Sequence, residues 1–238
     1  MKTPLTRLMM KGVRAAVVAI ENSVGVRISR RPLEKFYTEF IELVNLDLIS
    51  QSRGVLHIGA HVGLESKAYF EKRKPVIFIE ADPNTFLLLE KGIADFKDQK
   101  AFNWLLGNEE KTVDFHIANN GSESSSIFSF SKKNVINNLT TTRTVPIPMT
   151  RLDSKFTMSD LENYDHWVID VQGAELIVLE GAGQLLNLCK TMFIECSMTE
   201  FYEGGAMWTQ ILEFLQRNGF RYFVLPQNIS HLNVVFFR

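Results

Sequence analysis

The sequence predicts an α/β chain folded as a doubly wound, mostly parallel sheet. Three observations predict it. Short apolar runs read as strands buried on both faces, among them Val55-Leu56-His57-Ile58, Val76-Ile77-Phe78-Ile79-Glu80 and His166-Trp167-Val168-Ile169. Helical segments alternate with them, the pattern that makes parallel crossovers. Two strands close the chain, Arg221 to Leu225 and Leu232 to Phe237, so an antiparallel strand is expected at one side of the sheet.

Each element has its own local cause. Residues Pro32 to Ile49 place Phe36, Phe40, Val44 and Leu48 at helical spacing. A glycine closes the first buried run, and helical character resumes from Gly63 to Lys72. Asp82-Pro83 opens the next helix, with a carboxylate suited to the cap and proline to the first turn. Ala101 to Leu106 is a third strand, and Val113 to Ile117 alternates like an exposed antiparallel one. Val145-Pro146-Ile147-Pro148-Met149 reads as an edge strand, where proline is tolerated. Ala174 to Leu186 is helical and Thr191 to Glu195 is a strand. The helix Trp208 to Arg217 stops at Asn218-Gly219, a left-handed cap.

The 238 residues, 45% of them hydrophobic, suffice for one buried core. The chain divides into an N-terminal helical segment, 1–50, and an α/β domain, 51–238. A net charge of −1 gives no electrostatic footprint for nucleic acid. Cys189 and Cys196 lie in apolar stretches and read as reduced core residues of a cytoplasmic protein. No apolar stretch is long enough to span a bilayer, and Arg14 interrupts the early run Val13 to Ile20, which is not read as a signal peptide. Within residues 1–20, Leu5, Leu8, Met9, Ala16 and Ile20 share one helical side and Arg7, Lys11 and Arg14 the other. Such a basic amphipathic helix either packs on the domain or a second subunit, or lies on an anionic membrane at its inner face.

Ligands of such sheets bind at the carboxyl ends of the strands, so chemistry is sought there. The first turn is Gly59-Ala60-His61-Val62-Gly63, where glycines permit a sharp turn and a close backbone approach. Glu80 ends the second strand about 20 residues on, where an acid accepts both ribose hydroxyls of a nucleoside. The turn lacks the third glycine of a dinucleotide fingerprint and the Gly-Lys-Ser/Thr of a phosphate loop. A nicotinamide-dependent oxidoreductase is therefore the weaker reading. A nucleoside without phosphates fits better, and S-adenosylmethionine is the common one.

From about Val55 to Phe223 the chain resembles the FkbM-type methyltransferases, a class I S-adenosylmethionine-dependent group with a Rossmann-like fold. The resemblance rests on Leu56-His57-Ile58-Gly59-Ala60-His61-Val62-Gly63-Leu64-Glu65, Ile77-Phe78-Ile79-Glu80-Ala81-Asp82-Pro83, Asn119-Asn120-Gly121 with Ser124-Ser125-Ser126, and Thr150-Arg151-Leu152-Asp153. Its most specific part is Ile169-Asp170-Val171-Gln172-Gly173-Ala174-Glu175, followed by Leu179-Glu180-Gly181-Ala182. In the family pattern His57 is usually aspartate and Gln172 usually glutamate, so no carboxylate role transfers to those positions.

The resemblance implies that Gly59, Ala60, His61 and Gly63 hold the methionine part of the cofactor and Glu80 the ribose. Asn103 and Trp104 would sit beside adenine, and Glu65 would orient the amino group. Trp104 is equally explained as core, and Glu65 as favourable charge at a helix start. Methyl transfer to oxygen needs an aligned nucleophile and removal of its proton. Asp170 is expected to contact cofactor and acceptor, and Glu195 to accept the proton. His61 is a third candidate, of the residue type most used for proton transfer. Asp170, Glu195 and Asp153 could instead gather a divalent metal, although nothing in their spacing supports one. Asn120, Ser124, Ser125, Ser126 and Gln172 are the candidates for binding a polar acceptor. The expected activity is O-methylation of a sugar, glycan, glycolipid or secondary metabolite. A binding protein that keeps the pocket without catalysis is the alternative, and a homodimer is an open expectation.

Overall fold

The computed structural model describes residues 30–131, 138–224 and 231–238. The basic helix expected over residues 1–20, and Leu225, lie outside the described residues. Helix α1 (Arg30–Gln51) precedes strand β1 (Val55–Ile58), helix α2 (Ser66–Glu71), β2 (Val76–Glu80), α3 (Pro83–Ile93) and β3 (Gln99–Asn103). Next come β4 (Leu105–Leu106), β5 (Lys111–Ala118), β6 (Thr141–Thr150) and the short helices α4 (Leu152–Lys155) and α5 (Met158–Leu161). Strand β7 (His166–Ile169), helix α6 (Glu175–Gly181), a 3₁₀ turn (Gly183–Leu188), β8 (Thr191–Ser197), α7 (Trp208–Arg217), β9 (Arg221–Phe223) and β10 (His231–Phe237) complete it.

The main sheet has seven strands in the order β3-β2-β1-β7-β8-β10-β9. The first five are parallel, and β10 runs antiparallel between β8 and β9. The α/β fold class read from the sequence is the one observed. Every residue of β1, β2 and β7 is buried, as a sheet covered on both faces requires. One face packs under α6, α7 and the 3₁₀ turn through residues such as Ile58, Ile169, Val178 and Leu215. The other packs under α1, α2 and α3 through Ile41, Ile49, Tyr69, Phe78 and Leu89.

On α1 the most buried stripe is Ile41, Asn45 and Ile49, one residue on from the expected Phe40, Val44 and Leu48, which are half-buried beside it. A fully buried isoleucine contributes roughly 2–3 kcal/mol. Asn45 also meets the ring of His166 at 3.0 Å, tying the helix to β7. Burial drives His166 down to about 4, so the ring is neutral in this contact.

Three elements depart from expectation. The strand expected over Ala101–Leu106 is split at Trp104, because β4 leaves the main sheet to pair with β6 in a second sheet ordered β4-β6-β5. Strand β6 is thus central by order, not an edge. Its prolines survive because β4 covers only Met149 and Thr150, leaving Pro146 and Pro148 paired with β5 alone. At the end of α7 only Gly219 is left-handed, with φ +82°; Asn218 keeps φ −89°. As read, Asp82 caps α3, accepting the N–H of Asn84 at 3.2 Å with Pro83 in the first turn. Both cysteines are buried and free. Among the described residues no helix is long and apolar enough to cross a membrane.

Candidate active site

The order of strands reverses between β1 and β7, which is where doubly wound sheets open a crevice for ligands. The chain leaves β1 at Gly59, whose φ is +81°. A side chain there would run into the backbone carbonyl of Asp170, so only glycine lets the two strand ends come this close. Gly63, at φ +72°, abuts Leu89 instead and fits the turn against α3.

Glu80 ends β2 facing that turn. Its Oε2 accepts the backbone N–H of His61 at 2.8 Å, and its Oε1 that of Asp82 at 2.8 Å. Burial raises its pKa, and these two N–H groups, with the nearby His61, oppose the rise. Each oxygen keeps a second acceptor site for a ligand hydroxyl. Asn103 does not reach the cavity. Its amide donates to the carbonyls of Glu80 and Ala81 at 2.8 and 3.0 Å and so holds the end of β2.

After β7 the chain makes a second tight turn, with Gln172 at φ +54° and Gly173 at φ +96°. Glu175 holds that turn from within. Its Oε1 accepts the N–H groups of Val171 and Gly173 at 3.3 and 3.0 Å, while its buried Oε2 has no hydrogen-bond partner. Burial pushes Glu175 up to about 7.

The turn presents Asp170 beside Glu195 of β8, close enough for each carboxyl to act on the other and for the Gln172 amide to reach both. Burial raises both above the usual carboxylate range, and the proximity of the two acids adds to the rise of Asp170. Asp170 also faces the water of the cavity, which tempers the shift. The two carboxyls therefore titrate as a pair that holds protons more tightly than free carboxylates do. The Gln172 amide donates to both, at 2.5 Å to Asp170 Oδ1 and 3.2 Å to Glu195 Oε2.

The loop after β5 roofs the site. His61 Nε2 meets the carbonyl of Gly121 at 2.9 Å and must donate to it, so that nitrogen is not a free base. Ser126 Oγ donates to the Gln172 carbonyl at 2.7 Å, and the Tyr202 hydroxyl lies between the Ser124 carbonyl at 3.0 Å and Gln172 Oε1 at 2.7 Å. Ser125 Oγ accepts from the Ala118 N–H, and Asn120 closes on Ser124. These side chains are engaged in shaping the roof.

The resulting cavity holds about 440 Å³. Of the residues expected at the cofactor, Gly59, Ala60, His61, Glu65, Glu80, Trp104 and Asp170 line it; Gly63 and Asn103 do not. Of those expected at the acceptor, Ser124, Ser125 and Gln172 line it; Asn120 and Ser126 do not. Trp104 is both wall and core, stacked on Phe102 at 4.3 Å between centroids. Asp153 lies elsewhere, gripped through both oxygens by Arg151 at 2.8 and 2.6 Å, so it cannot join Asp170 and Glu195 around a metal. Among the described residues no group of three or more His, Cys, Asp or Glu could hold a metal ion.

The family model described as the methyltransferase FkbM domain matches residues 57–222, well over half of the chain. The chain belongs to the FkbM methyltransferase family. It is a methyltransferase. Among curated proteins it is 28% identical over 170 residues, 68% of this chain and 70% of the other, to the 2-O-methyltransferase NoeI of Sinorhizobium fredii (strain NBRC 101917 / NGR234). Among solved structures it is similar to an O-methyltransferase from Bacillus cereus in complex with SAH, at 13% identity, covering 99% and 91% of the two chains with a TM-score of 0.44. It is also similar to a putative tRNA (m1A22) methyltransferase of Streptococcus pneumoniae in complex with S-adenosyl-L-methionine, at 13% identity, covering 81% and 71% with a TM-score of 0.46.

Both departures from the FkbM pattern have a structural partner. His57 sits in the core between Tyr69 and Phe78, with Nδ1 3.1 Å from the Tyr69 hydroxyl, and burial lowers its pKa. Gln172 replaces a potential third carboxylate with an amide that donates to the other two. The FkbM-type cavity also contains Phe201 and His231, which sequence reasoning missed. Their rings meet edge to face at 5.0 Å. Phe201 lies in the loop just beyond β8, so its signal in the sequence is nearness to the end of a buried strand. His231 reaches the site because β10 is antiparallel, so its first residue lies at the edge where parallel strands end.

Proposed function

We propose that this protein is an S-adenosylmethionine-dependent O-methyltransferase acting on a hydroxyl of a sugar, glycan, glycolipid or secondary metabolite. One observation carries the reading: the Gly59 turn, Glu80 and the Asp170–Glu195 pair line a single cavity at the β1/β7 switch point. The residues fit the cofactor. Gly59 gives the close backbone approach, Glu80 offers oxygens to the ribose, and Trp104 offers a flat wall to adenine. Glu65 and the Asp170–Glu195 pair offer negative charge to a cationic ligand, and the described lining contains neither lysine nor arginine. That charge also disfavours a pyrophosphate.

When bound, the cofactor supplies an electrophilic methyl group on a sulfonium. The chain must hold the acceptor oxygen in line and take its proton as the oxygen–carbon bond forms. Glu195, at the end of β8, takes that proton. Asp170 stands beside it as the second carboxyl of the pair. Phe201 and His231 lie on the same side as Glu195 and shape the acceptor end. NoeI, named as a 2-O-methyltransferase, supports transfer to oxygen.

The test is transfer of a labelled methyl group from S-adenosylmethionine to a panel of glycosides, oligosaccharides and phenolic metabolites. The label should appear in an alkali-stable ether, and Glu195→Gln should lower turnover at least about a hundredfold, within the range for loss of a general base. Label found only on nitrogen or in an ester, or Glu195→Gln at full rate, refutes the reading.

A further inference from the structure

We propose that Tyr202 is a positioning residue for the carboxylate pair: its hydroxyl fixes the Gln172 amide so that both amide hydrogens face Asp170 and Glu195. The inference deepens the reading above, in which that pair takes the acceptor's proton.

The amide has two unlike ends, and only one orientation serves the pair. The Tyr202 hydroxyl lies 2.7 Å from Gln172 Oε1 and 3.0 Å from the Ser124 carbonyl. Both are acceptors and the phenol has one hydrogen to give; Gln172 Oε1, which faces it, is the nearer of the two. Nε2 is then turned inward, 2.5 Å from Asp170 Oδ1 and 3.2 Å from Glu195 Oε2. Turning the amide over would set its oxygen against two carboxyls and give up the phenol's bond to Oε1.

The phenol can impose this because it cannot move. Tyr202 is 2% exposed, stacks on Phe130 at 5.5 Å and meets Phe201 edge to face at 4.9 Å. Gly173 makes room for the ring, since a Cβ there would stand 3.1 Å from it. The Gln172 backbone is fixed as well, by Glu175 on one side and by the Ala206 N–H donating to the Gly173 carbonyl at 2.8 Å on the other.

The charged surroundings give the amide its importance. Glu65 acts on the pair from the start of α2 and Glu175 from α6, and Glu123 lines the same cavity from the roof, all carboxyls. The ionisable groups of Tyr202 and Cys196 lie close by, pushed upward by burial first and then by Glu175 and Glu195, with Asp170 adding to Tyr202. His57, His61 and His231 line the same cavity. Against burial and like charge, the two N–H groups of Gln172 support the negative charge of the pair.

The experiment is a pH titration of the side-chain carboxyl carbons of Asp170 and Glu195 by ¹³C NMR in the full chain, with no acceptor needed. In Tyr202→Phe the midpoint of the pair should rise by about half a pH unit or more, because its ionised form loses oriented donors. Gln172→Met removes the same donors without touching the ring cluster and should raise the midpoint at least as far. Unchanged midpoints in folded Tyr202→Phe overturn the proposal, as does a rise in Gln172→Met alone. If Tyr202→Phe does not fold, Gln172→Met decides, and an unmoved midpoint overturns it. Failure of the general-base reading would show elsewhere, as full methyl transfer by Glu195→Gln, and would leave these midpoints untouched.

Discussion

The backbone N–H of His61 donates to Glu80 Oε2 at 2.8 Å, which joins the first turn to the end of the second strand. The carboxylate thus has two tasks. It holds the glycine turn in shape, and it offers its remaining lone pairs to a ligand.

Replacing Glu80 separates those tasks. Glu80→Gln keeps an oxygen for one N–H but sets an amide donor against the other. Glu80→Ala removes both acceptors and leaves the N–H groups of His61 and Asp82 unmet. Calorimetric affinity for S-adenosylmethionine should fall at least about tenfold in Glu80→Ala, the scale of one or two charge-assisted hydrogen bonds. Unfolding by denaturant should show a loss of about 1–3 kcal/mol, the penalty for buried donors left without partners. Unchanged affinity would remove Glu80 from the cofactor site.

Gly59 offers a sharper test of the strand crossing. Alanine there meets the carbonyl of Asp170 and is held at φ +81°. The left-handed backbone alone costs about 1–2 kcal/mol, and the overlap adds about 1–3 kcal/mol of strain. Gly59→Ala should therefore melt at a markedly lower temperature in calorimetry and bind S-adenosylmethionine weakly. Gly121→Ala is the control. Gly121 is also left-handed, at φ +72°, but a Cβ there has nothing within 4 Å. Its loss should be confined to the backbone term.

The fold was legible because its strands are short, apolar and separated by helical periods, a signal local to each element. Glu80, Asp170 and Glu195 were legible for the same reason, since each ends a buried strand. What escaped was contact between distant segments. Asn103 and Ser126 have the polar character of ligand residues, yet their side chains hold the Glu80 and Gln172 carbonyls. His231 stands 36 positions beyond Glu195, and only the reversed direction of β10 brings it to the cavity. Tyr202 carries no motif; its importance comes from the 2.7 Å contact with a glutamine 30 positions earlier. The split of the third strand at Trp104 was hidden because a second sheet competes for Leu105 and Leu106 through β6, more than 40 residues later.

Glu175 makes the stability of the chain depend on pH in a direction opposite to that of an ordinary ion-paired acid. Its carboxyl goes from about 4.5 in an unfolded chain to about 7 in the fold, because burial disfavours the charge and Oε2 has no partner. The folded state then binds the proton more tightly than the unfolded state. Both states are protonated below about pH 4.5, so no penalty exists there. As pH rises from 4.5 toward 7 the unfolded state releases its proton first, and stability declines. Above 7 the loss is complete, at about 3 kcal/mol for a shift of this size. Glu175→Gln keeps an oxygen for the N–H groups of Val171 and Gly173 and carries no charge at any pH. Against the native chain it should be more stable by about 1–3 kcal/mol at pH 8, with the gain vanishing near pH 4.5. Denaturant unfolding of both chains across that range checks this. A gain independent of pH, or a loss that grows toward alkaline pH, would show that Glu175 is held ionised in the fold.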